Sequence, residues 1–275
     1  MSNIIKAGVI GWPVSHSLSP RLHNFWLKKY NINGEYKAYP VEPDGLPEFI
    51  KNMRADENFR GVNLTIPHKE MVMDLLDIVD DTARQIGAVN TIINENGKLR
   101  GINTDAYGFS ENIKPFIADN KKAVVLGAGG AAKAVCFALN EAGFKDVIIT
   151  NRTISRAESL SSVIRNLSSV VDWEKRSEIL HDTDLLVNTT SLGMTGKEKL
   201  EIDLSLLPKT ALVTDIVYSP LITPLLAQAR DRGNPTIDGL GMLLHQAVPA
   251  FEAWFGIRPE VDIELRNHVL SGMAQ

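Results

Sequence analysis

The chain has 275 residues, enough for about two domains, and its 44% apolar and 23% charged content is a globular balance that excludes disordered and fibrous classes. With 29 basic and 33 acidic residues the net charge is −4, so neither nucleic acid nor an anionic membrane is expected as a partner, since both require a basic face. One cysteine, Cys136, excludes a disulfide framework, and six histidines without HExxH spacing give no metal cage, so no metal is expected.

The amino terminus, MSNIIKAGVIGWPVSHS, lacks a basic start followed by an apolar stretch, and no run nears the ~20 apolar residues that cross a bilayer. A cytoplasmic protein is expected. Ile4 to Ile10 reads as a buried strand closed by Gly11 and Pro13, and Ser19-Pro20 opens an amphipathic helix with Ser19 as its cap. Glu35–Val41 reads as strand, Asp44–Met53 as helix and Arg60–Leu64 as strand, with a further helical stretch from Pro67. Gly87–Asn94 and Lys98–Ile102 form a strand pair across the turn dipeptide Asn96-Gly97.

In the second half, Ala123–Leu126, Asp146–Thr150, Asp184–Asn188 and Ala211–Asp215 read as strands. Ala131–Glu141 and Ser155–Ile164 read as helices, and Leu240–Trp254 as a final long one. This alternation predicts an α/β protein with parallel sheets covered on both faces. Thr104-Asp105 is expected to cap a helix at the domain boundary.

Between the first strand and helix of that half lies Gly127-Ala128-Gly129-Gly130-Ala131-Ala132, a GxGxxA pattern. Gly127 suits the tight turn, Gly129 the close approach of backbone to a pyrophosphate, and Ala132 close helix–strand packing. The helix start then offers free N–H groups to phosphates. An NAD site wants a carboxylate after the second strand; here that strand ends in Asn151-Arg152-Thr153, with Arg156 four residues past Arg152. The two arginines are expected on one helical face, forking a 2′-phosphate, and the expected cofactor is NADP.

In the first half, polar residues gather at strand ends. An extended Ser15-His16-Ser17 would put both serines on one side, able to hold a carboxylate, and Thr65 and Lys69 follow another strand. Asn90-Thr91 and Asn103-Thr104-Asp105 complete the set.

SHSLSP, GVNLTIPHKE, IGAVNT, NTDAYGF, GAGGAAKA, NRTISRA, NTTSLGM, DIVYSPLITPLL and GLGMLLHQA, in this order over most of the chain, resemble the motif set of the shikimate dehydrogenase family. The resemblance implies a substrate-binding domain over 1–105, completed by 240–275, and a Rossmann-like NADP-binding domain over 106–239. It implies that Ser15 and Ser17 bind the substrate carboxylate, and that Thr65, Asn90, Asp105 and Gln246 bind ring hydroxyls. Lys69 and Asp105 are the implied catalytic pair at the reacting oxygen. Tyr218 is implied beside the substrate, and Gly239 and Met242 at the nicotinamide. Gly127, Ala128, Gly129, Gly130, Ala131, Asn151, Arg152, Thr153, Arg156 and Thr190 are implied to hold the rest of the cofactor. The implied reaction is reversible reduction of 3-dehydroshikimate to shikimate by NADPH, a step toward chorismate and the aromatic amino acids, in a monomer or homodimer. Ala106 and Ala247 stand where family members often carry glycine.

An ammonium beside a carboxylate is poorly tuned as a proton donor at neutral pH, so Lys69 is expected to act mainly as a fixed positive charge. Two other readings are a quinate/shikimate dehydrogenase of broader specificity and a catalytically silent NADP- or shikimate-binding regulatory module. The basic Asn151-Arg152-Thr153 opposes the first, and the presence of both Lys69 and Asp105 opposes the second.

Overall fold

The computed structural model describes residues 4–117, 122–160 and 167–273. In chain order, β1 (Ile5–Gly11) leads to α1 (Ser19–Lys29), β2 (Gly34–Pro40), α2 (Leu46–Ala55), β3 (Phe59–Leu64) and α3 (His68–Met71). There follow β4 (Ile78–Val79), α4 (Asp81–Ile86), β5 (Thr91–Glu95), β6 (Lys98–Ile102), α5 (Asp105–Ile113), β7 (Lys122–Leu126) and α6 (Gly130–Glu141). Next come β8 (Asp146–Asn151), α7 (Ile154–Ser159), β9 (Leu167–Asp172), β10 (Leu185–Asn188), β11 (Leu212–Asp215), α8 (Pro224–Asp231) and β12 (Thr236–Ile237). The chain ends with α9 (Leu240–Phe255) and α10 (Ile263–Leu270). Two compact α/β units result, one of residues 1–104 with 246–275, the other of 105–245. The chain thus leaves the second unit inside α9, after His245, rather than at residue 240. The first turn of α9 fits its own unit closely, since a Cβ on Gly241 would overlap the Asn112 side chain of α5.

The first unit's sheet has the order β2-β1-β3-β5-β6-β4. β1 pairs in parallel with β2 and β3, and β4 with β6, but β5 runs antiparallel to both β3 and β6. The hairpin expected across Asn96-Gly97 is present and makes this sheet a mixed one, where strand–helix alternation alone implies a parallel sheet. The reversal comes from the turn at Asn96 (φ 56°) and Gly97 (φ 91°), both in the left-handed region that a two-residue hairpin requires. Gly87–Asn90, expected as the start of β5, instead follows α4, which Asp80 caps by accepting the Ala83 N–H at 2.6 Å and Gly87 ends at φ 70°. Ile10, Val62, Leu64, Ile92 and Leu99 from the strands pack with Leu46, Ile50 and Met53 of α2.

The second unit's sheet is wholly parallel, in the order β12-β11-β10-β7-β8-β9. From its first strand, β7, the chain steps outward to β8 and β9, then returns to start again at β10, leaving a switch point between β7 and β10. Its strands are near-continuous apolar runs because helices cover both faces. β9, β12, α8 and α10 were not expected, being short or weakly periodic. The helix expected over Ser155–Ile164 is observed as Ile154–Ser159, and Ser161–Ile164 lie outside the described residues.

Gly61 of β3 has φ 149°, and a Cβ there would overlap the Ile92 carbonyl of β5, which also accepts the Trp254 indole N–H at 3.0 Å. Backbone strain and overpacking then add, so Gly61→Ala is expected to cost about 3 kcal/mol and lower Tm by roughly 10 °C. At Gly97 a Cβ would sit 3.8 Å from the Arg54 carbonyl, so Gly97→Ala pays only the turn's φ, and its shift in a calorimetric scan should be about a third as large.

Candidate active site

Side chains of the first unit converge because of how its strands are directed. The carboxyl ends of β1, β3 and β6 and the amino end of β5 share one edge of the sheet, so the segments carrying Ser15 and Ser17, Thr65 and Lys69, Asn90, and Thr104 all leave from that edge. Main-chain bonds lace the first two segments together: the Thr65 N–H donates to the Ile10 carbonyl at 3.0 Å and the Trp12 N–H to the Ile66 carbonyl at 3.1 Å. Lys69 is fixed by its neighbours. Its carbonyl accepts the Val89 N–H at 2.8 Å, next to Asn90, while buried His68 donates from Nε2 to the Val41 carbonyl at 2.8 Å. A carbonyl only accepts, which assigns the proton to Nε2.

Asn90 and Gln246 are brought together by Thr104. The Asn90 Oδ1 accepts the Thr104 N–H at 2.8 Å, the Asn90 Nδ2 donates to Thr104 Oγ1 at 2.9 Å, and Thr104 Oγ1 donates to Gln246 Oε1 at 3.3 Å. All three residues are buried. The sequence places Thr104 among the polar residues at strand ends and at a helix cap, but does not show that it joins Asn90 to Gln246.

Two expectations about the serine loop are corrected. Residues Val14 to Ser17 form a turn closed by the Ser17 N–H to the Val14 carbonyl at 3.0 Å, so alternation along an extended strand does not govern where Ser15 and Ser17 point. Nor does Ser19 cap α1: it lies within the first turn, and Ser17 Oγ accepts its N–H at 3.3 Å. Accepting that bond leaves the Ser17 hydroxyl proton available to an anion.

In the second unit, β7 runs into the glycine loop at the switch point. Gly127 (φ 109°) lies against the β10 loop, where a Cβ would come 2.7 Å from Thr189 Oγ1. At Gly129 and Gly130, by contrast, a Cβ would meet nothing within 4 Å, and Gly129 is exposed, so there is open space for a phosphate beside the start of α6. The donor set fits a dinucleotide. Ala128 and Ala131 flank these positions in the same loop and first turn.

After β8, Asn151 is half-buried and donates from Nδ2 to the Thr153 carbonyl at 2.8 Å. Arg152, Thr153 and Arg156 are exposed. Arg152 precedes the helix cap Thr153, so it does not share a helical face with Arg156, contrary to the four-residue spacing argument. Arg152 instead borders a cavity of about 530 Å³ with Trp173, Arg176 and Lys199, in which the Arg176 guanidinium lies 4.8 Å over the Trp173 ring. A groove of about 660 Å³ between α1 and α10 is larger, but none of the expected site residues lines it.

Thr190, expected at the cofactor, is engaged locally: its hydroxyl donates to Asn188 Oδ1 at 2.7 Å and accepts the Leu192 N–H at 3.1 Å. Tyr218 is half-buried, and that burial holds its phenol above the usual tyrosine range. Gly239 packs against the Ile216 carbonyl, which a Cβ would overlap, and Met242 is buried on α9. Among the described residues no cluster of three or more His, Cys, Asp or Glu side chains is suited to a metal, and no helix is long and apolar enough to cross a membrane.

Comparison with known proteins covers both units. The family of shikimate dehydrogenase substrate binding domains matches residues 9–92, that of shikimate/quinate 5-dehydrogenases residues 111–241, and that of shikimate 5′-dehydrogenase C-terminal domains residues 239–263. The NADP(+)-dependent shikimate dehydrogenase of Paramagnetospirillum magneticum is 53% identical over 270 residues, which is 96% of this chain and 98% of that protein. The chain belongs to the shikimate dehydrogenase family.

Its fold is likewise that of the family. The shikimate 5-dehydrogenase of Thermus thermophilus, solved with NADP(H) and shikimate, is similar with a TM-score of 0.87 at 39% identity, over 98% of this chain and 99% of that one. Quinate dehydrogenase from Corynebacterium glutamicum, solved with NAD, is as similar in fold, with a TM-score of 0.90 at 32% identity over 98% and 99% of the two chains. Within the family, then, overall shape does not separate the two activities, and individual side chains must.

One residue of the family motif DIVYSPLITPLL escaped the sequence reading. Asp215, at the end of β11, is buried and ties three segments together, accepting from Asn188 Nδ2 at 3.0 Å, the Val217 N–H at 3.0 Å and Thr223 Oγ1 at 2.7 Å. Burial outweighs these donors and raises its carboxyl to about 6. A carboxyl whose folded value exceeds its unfolded one stabilises the fold when protonated, and that contribution is lost as pH rises from about 4 through 6. Two units correspond to about 3 kcal/mol. Asp215→Asn can keep all three contacts, with Oδ1 accepting and Nδ2 donating to Thr223, without the charge. Urea denaturation should therefore show the variant gaining about 3 kcal/mol on the native protein between pH 4 and pH 7; parallel pH profiles would refute this.

Proposed function

We propose that this chain is an NADP-dependent shikimate dehydrogenase, an oxidoreductase that reduces 3-dehydroshikimate reversibly to shikimate in chorismate and aromatic amino-acid biosynthesis. The observation that carries this reading is the 53% identity, over nearly the whole of both chains, to an NADP(+)-dependent shikimate dehydrogenase. NADPH is an intracellular reductant, in keeping with a cytoplasmic enzyme, acting as a monomer or homodimer.

When bound, NADP(H) supplies or accepts the hydride. Around the substrate, the Ser15 and Ser17 hydroxyls donate to the carboxylate, and Thr65, Asn90 and Gln246 hold ring hydroxyls. Lys69 keeps a positive charge at the ring oxygen as the carbonyl becomes an alkoxide, and Asp105 orients that ammonium and a substrate hydroxyl. Preorganised charge of this kind lowers the barrier more than it tightens ground-state binding. The proton that completes the alcohol reaches the oxygen from Lys69 or through bound water. Tyr218 borders the substrate, and Gly239 and Met242 border the nicotinamide. The N–H groups of Gly127 to Ala131 cradle the pyrophosphate. Arg152, Arg156 and the Thr153 hydroxyl, which makes no capping bond to α7, meet the 2′-phosphate, with Asn151 setting their loop and Thr190 the adjoining one.

Initial rates with shikimate or quinate, each with NADP or NAD, test the assignment: shikimate with NADP should be fastest, and equal rates on quinate would favour the broader-specificity enzyme. In the same assay, Arg152→Ala with Arg156→Ala should raise KM for NADP far more than KM for NAD. Lys69→Ala should cut kcat by roughly three orders of magnitude, the scale of removing a preorganised charge, with KM for shikimate within a few fold. A large rise in KM at intact kcat would reduce Lys69 to a binding role, and no change in either would make it a surface ion pair.

A further inference from the structure

Behind Asn90 runs a buried line of hydrogen bonds whose direction is set by one backbone group. The Thr104 N–H can only donate, and it meets Asn90 at 2.8 Å, so the atom there is the amide oxygen. Thr91 Oγ1 lies 3.1 Å from that oxygen and 3.5 Å from Thr104 Oγ1, and donates its proton to the nearer acceptor. With its proton so placed, Thr91 Oγ1 accepts from Asn63 at 2.9 Å, which makes that atom Nδ2. Asn63 Oδ1 consequently accepts the Tyr36 hydroxyl at 2.6 Å. Tyr36, Asn63, Asn90, Thr91 and Thr104 are all buried, and Thr91 has no exposed surface. At its far end Tyr36 is clamped by the His23 ring, stacked at 4.1 Å and 5°.

From this line we infer that Thr91 is a positioning residue of the enzyme: its hydroxyl holds the Asn90 amide with Oδ1 inward and Nδ2 toward Thr104 and Gln246. The inference rests on the reading of Asn90 and Gln246 as substrate ligands. The Thr104 N–H and the Thr91 hydroxyl converge on Asn90 Oδ1, with the Thr104 hydroxyl also within 3.2 Å, so an inverted amide would face these donors with a further donor. Removing the Thr91 hydroxyl takes away one of these and leaves Asn63 Nδ2 only its longer 3.4 Å bond to the Asn90 carbonyl, a weakened link in a dry interior that favours rearrangement. Asn90 would then sample orientations that offer the substrate the wrong partner. Thr91 itself touches no reacting atom; its effect passes through Asn90.

The test compares steady-state kinetics of the full-length enzyme with Thr91→Val, which keeps the shape without the hydroxyl, and Thr91→Ser, which keeps the hydroxyl. Thr91→Val should raise KM for shikimate about tenfold or more while KM for NADP stays within twofold, and Thr91→Ser should return KM for shikimate to within about threefold of the native value. A Thr91→Val enzyme with native KM for shikimate would overturn the inference, whatever its melting temperature, because a purely structural threonine lowers Tm without separating the two constants. Equal rises in both constants would overturn it too. Should the valine variant fail to fold, Thr91→Cys, with a weaker donor of similar size, should show a KM for shikimate raised at least threefold, and a native value would again refute the role. Native protein inactive on shikimate with NADP would sink the functional reading; active native protein with an unaltered valine variant would sink only the role of Thr91.

Discussion

Because β5 runs against both of its neighbours, the amino end of one strand and the carboxyl ends of three others meet at a single edge of the first unit's sheet. Had β5 been parallel to β3, Asn90 would leave from the opposite edge to Thr65, and the Thr104 N–H would have no amide to meet. The reversal depends on two consecutive residues with positive φ at Asn96 and Gly97, and on Gly61, whose missing Cβ lets β3 and β5 close with the Trp254 indole against them. A few backbone positions with no chemistry of their own thus decide which side chains share an edge.

The second unit solves a different problem, the approach of a charged and bulky cofactor. Open space beside Gly129 and Gly130 admits phosphate beside the start of α6, while Gly127 is confined on the inner side by Thr189. Around this loop the polar interior is locally satisfied: Asn188, Thr190, Asp215 and Thr223 bond to one another and to loop N–H groups. Their role is to shape the loops after β10 and β11. The exposed groups Arg152 and Arg156 are those with side chains extended to solvent, as recognition of a phosphate requires.

What was legible in the sequence was what local chemistry dictates. The glycine loop between strand and helix, the Asn96-Gly97 hairpin and the missing carboxylate after β8 each follow from a few adjacent residues. Family resemblance supplied the roles of Lys69 and Asp105, and it alone supplied Gln246, whose bonded partner Thr104 lies 142 residues away. Contacts decided by tertiary structure were not legible: the turn at Val14–Ser17 defeats the strand alternation assumed for Ser15 and Ser17, and Ser19 lies inside the helix it was expected to cap, its N–H bonded to Ser17 Oγ. Arg152 lies before a helix cap that spacing alone does not locate. For α4 the signals were present, an Asp cap and a left-handed glycine, but a helix of six residues shows too little periodicity to compete with a strand. Asp215 was passed over, and Thr91 was singled out beside Asn90 without a role of its own, because the partners that matter lie 27 and 28 residues away.

Burying so many polar groups in the first unit is tolerable only if every link is made, since a half-made network is worse than an apolar core. From Tyr36 to Thr104 each link is made, and the Thr104 hydroxyl stands between two acceptors, Asn90 Oδ1 at 3.2 Å and Gln246 Oε1 at 3.3 Å. His23 stands apart: neither ring nitrogen has a hydrogen-bond partner, and burial drives its value down to about 3, so the ring is neutral and acts as an aromatic plate against Tyr36. A charged imidazolium at that point would pull on the Tyr36 oxygen and, through Asn63 and Thr91, on the Asn90 amide. Neutrality of His23 therefore belongs to the same design as the direction of the hydrogen bonds: the buried groups behind Asn90 are uncharged and transmit orientation alone.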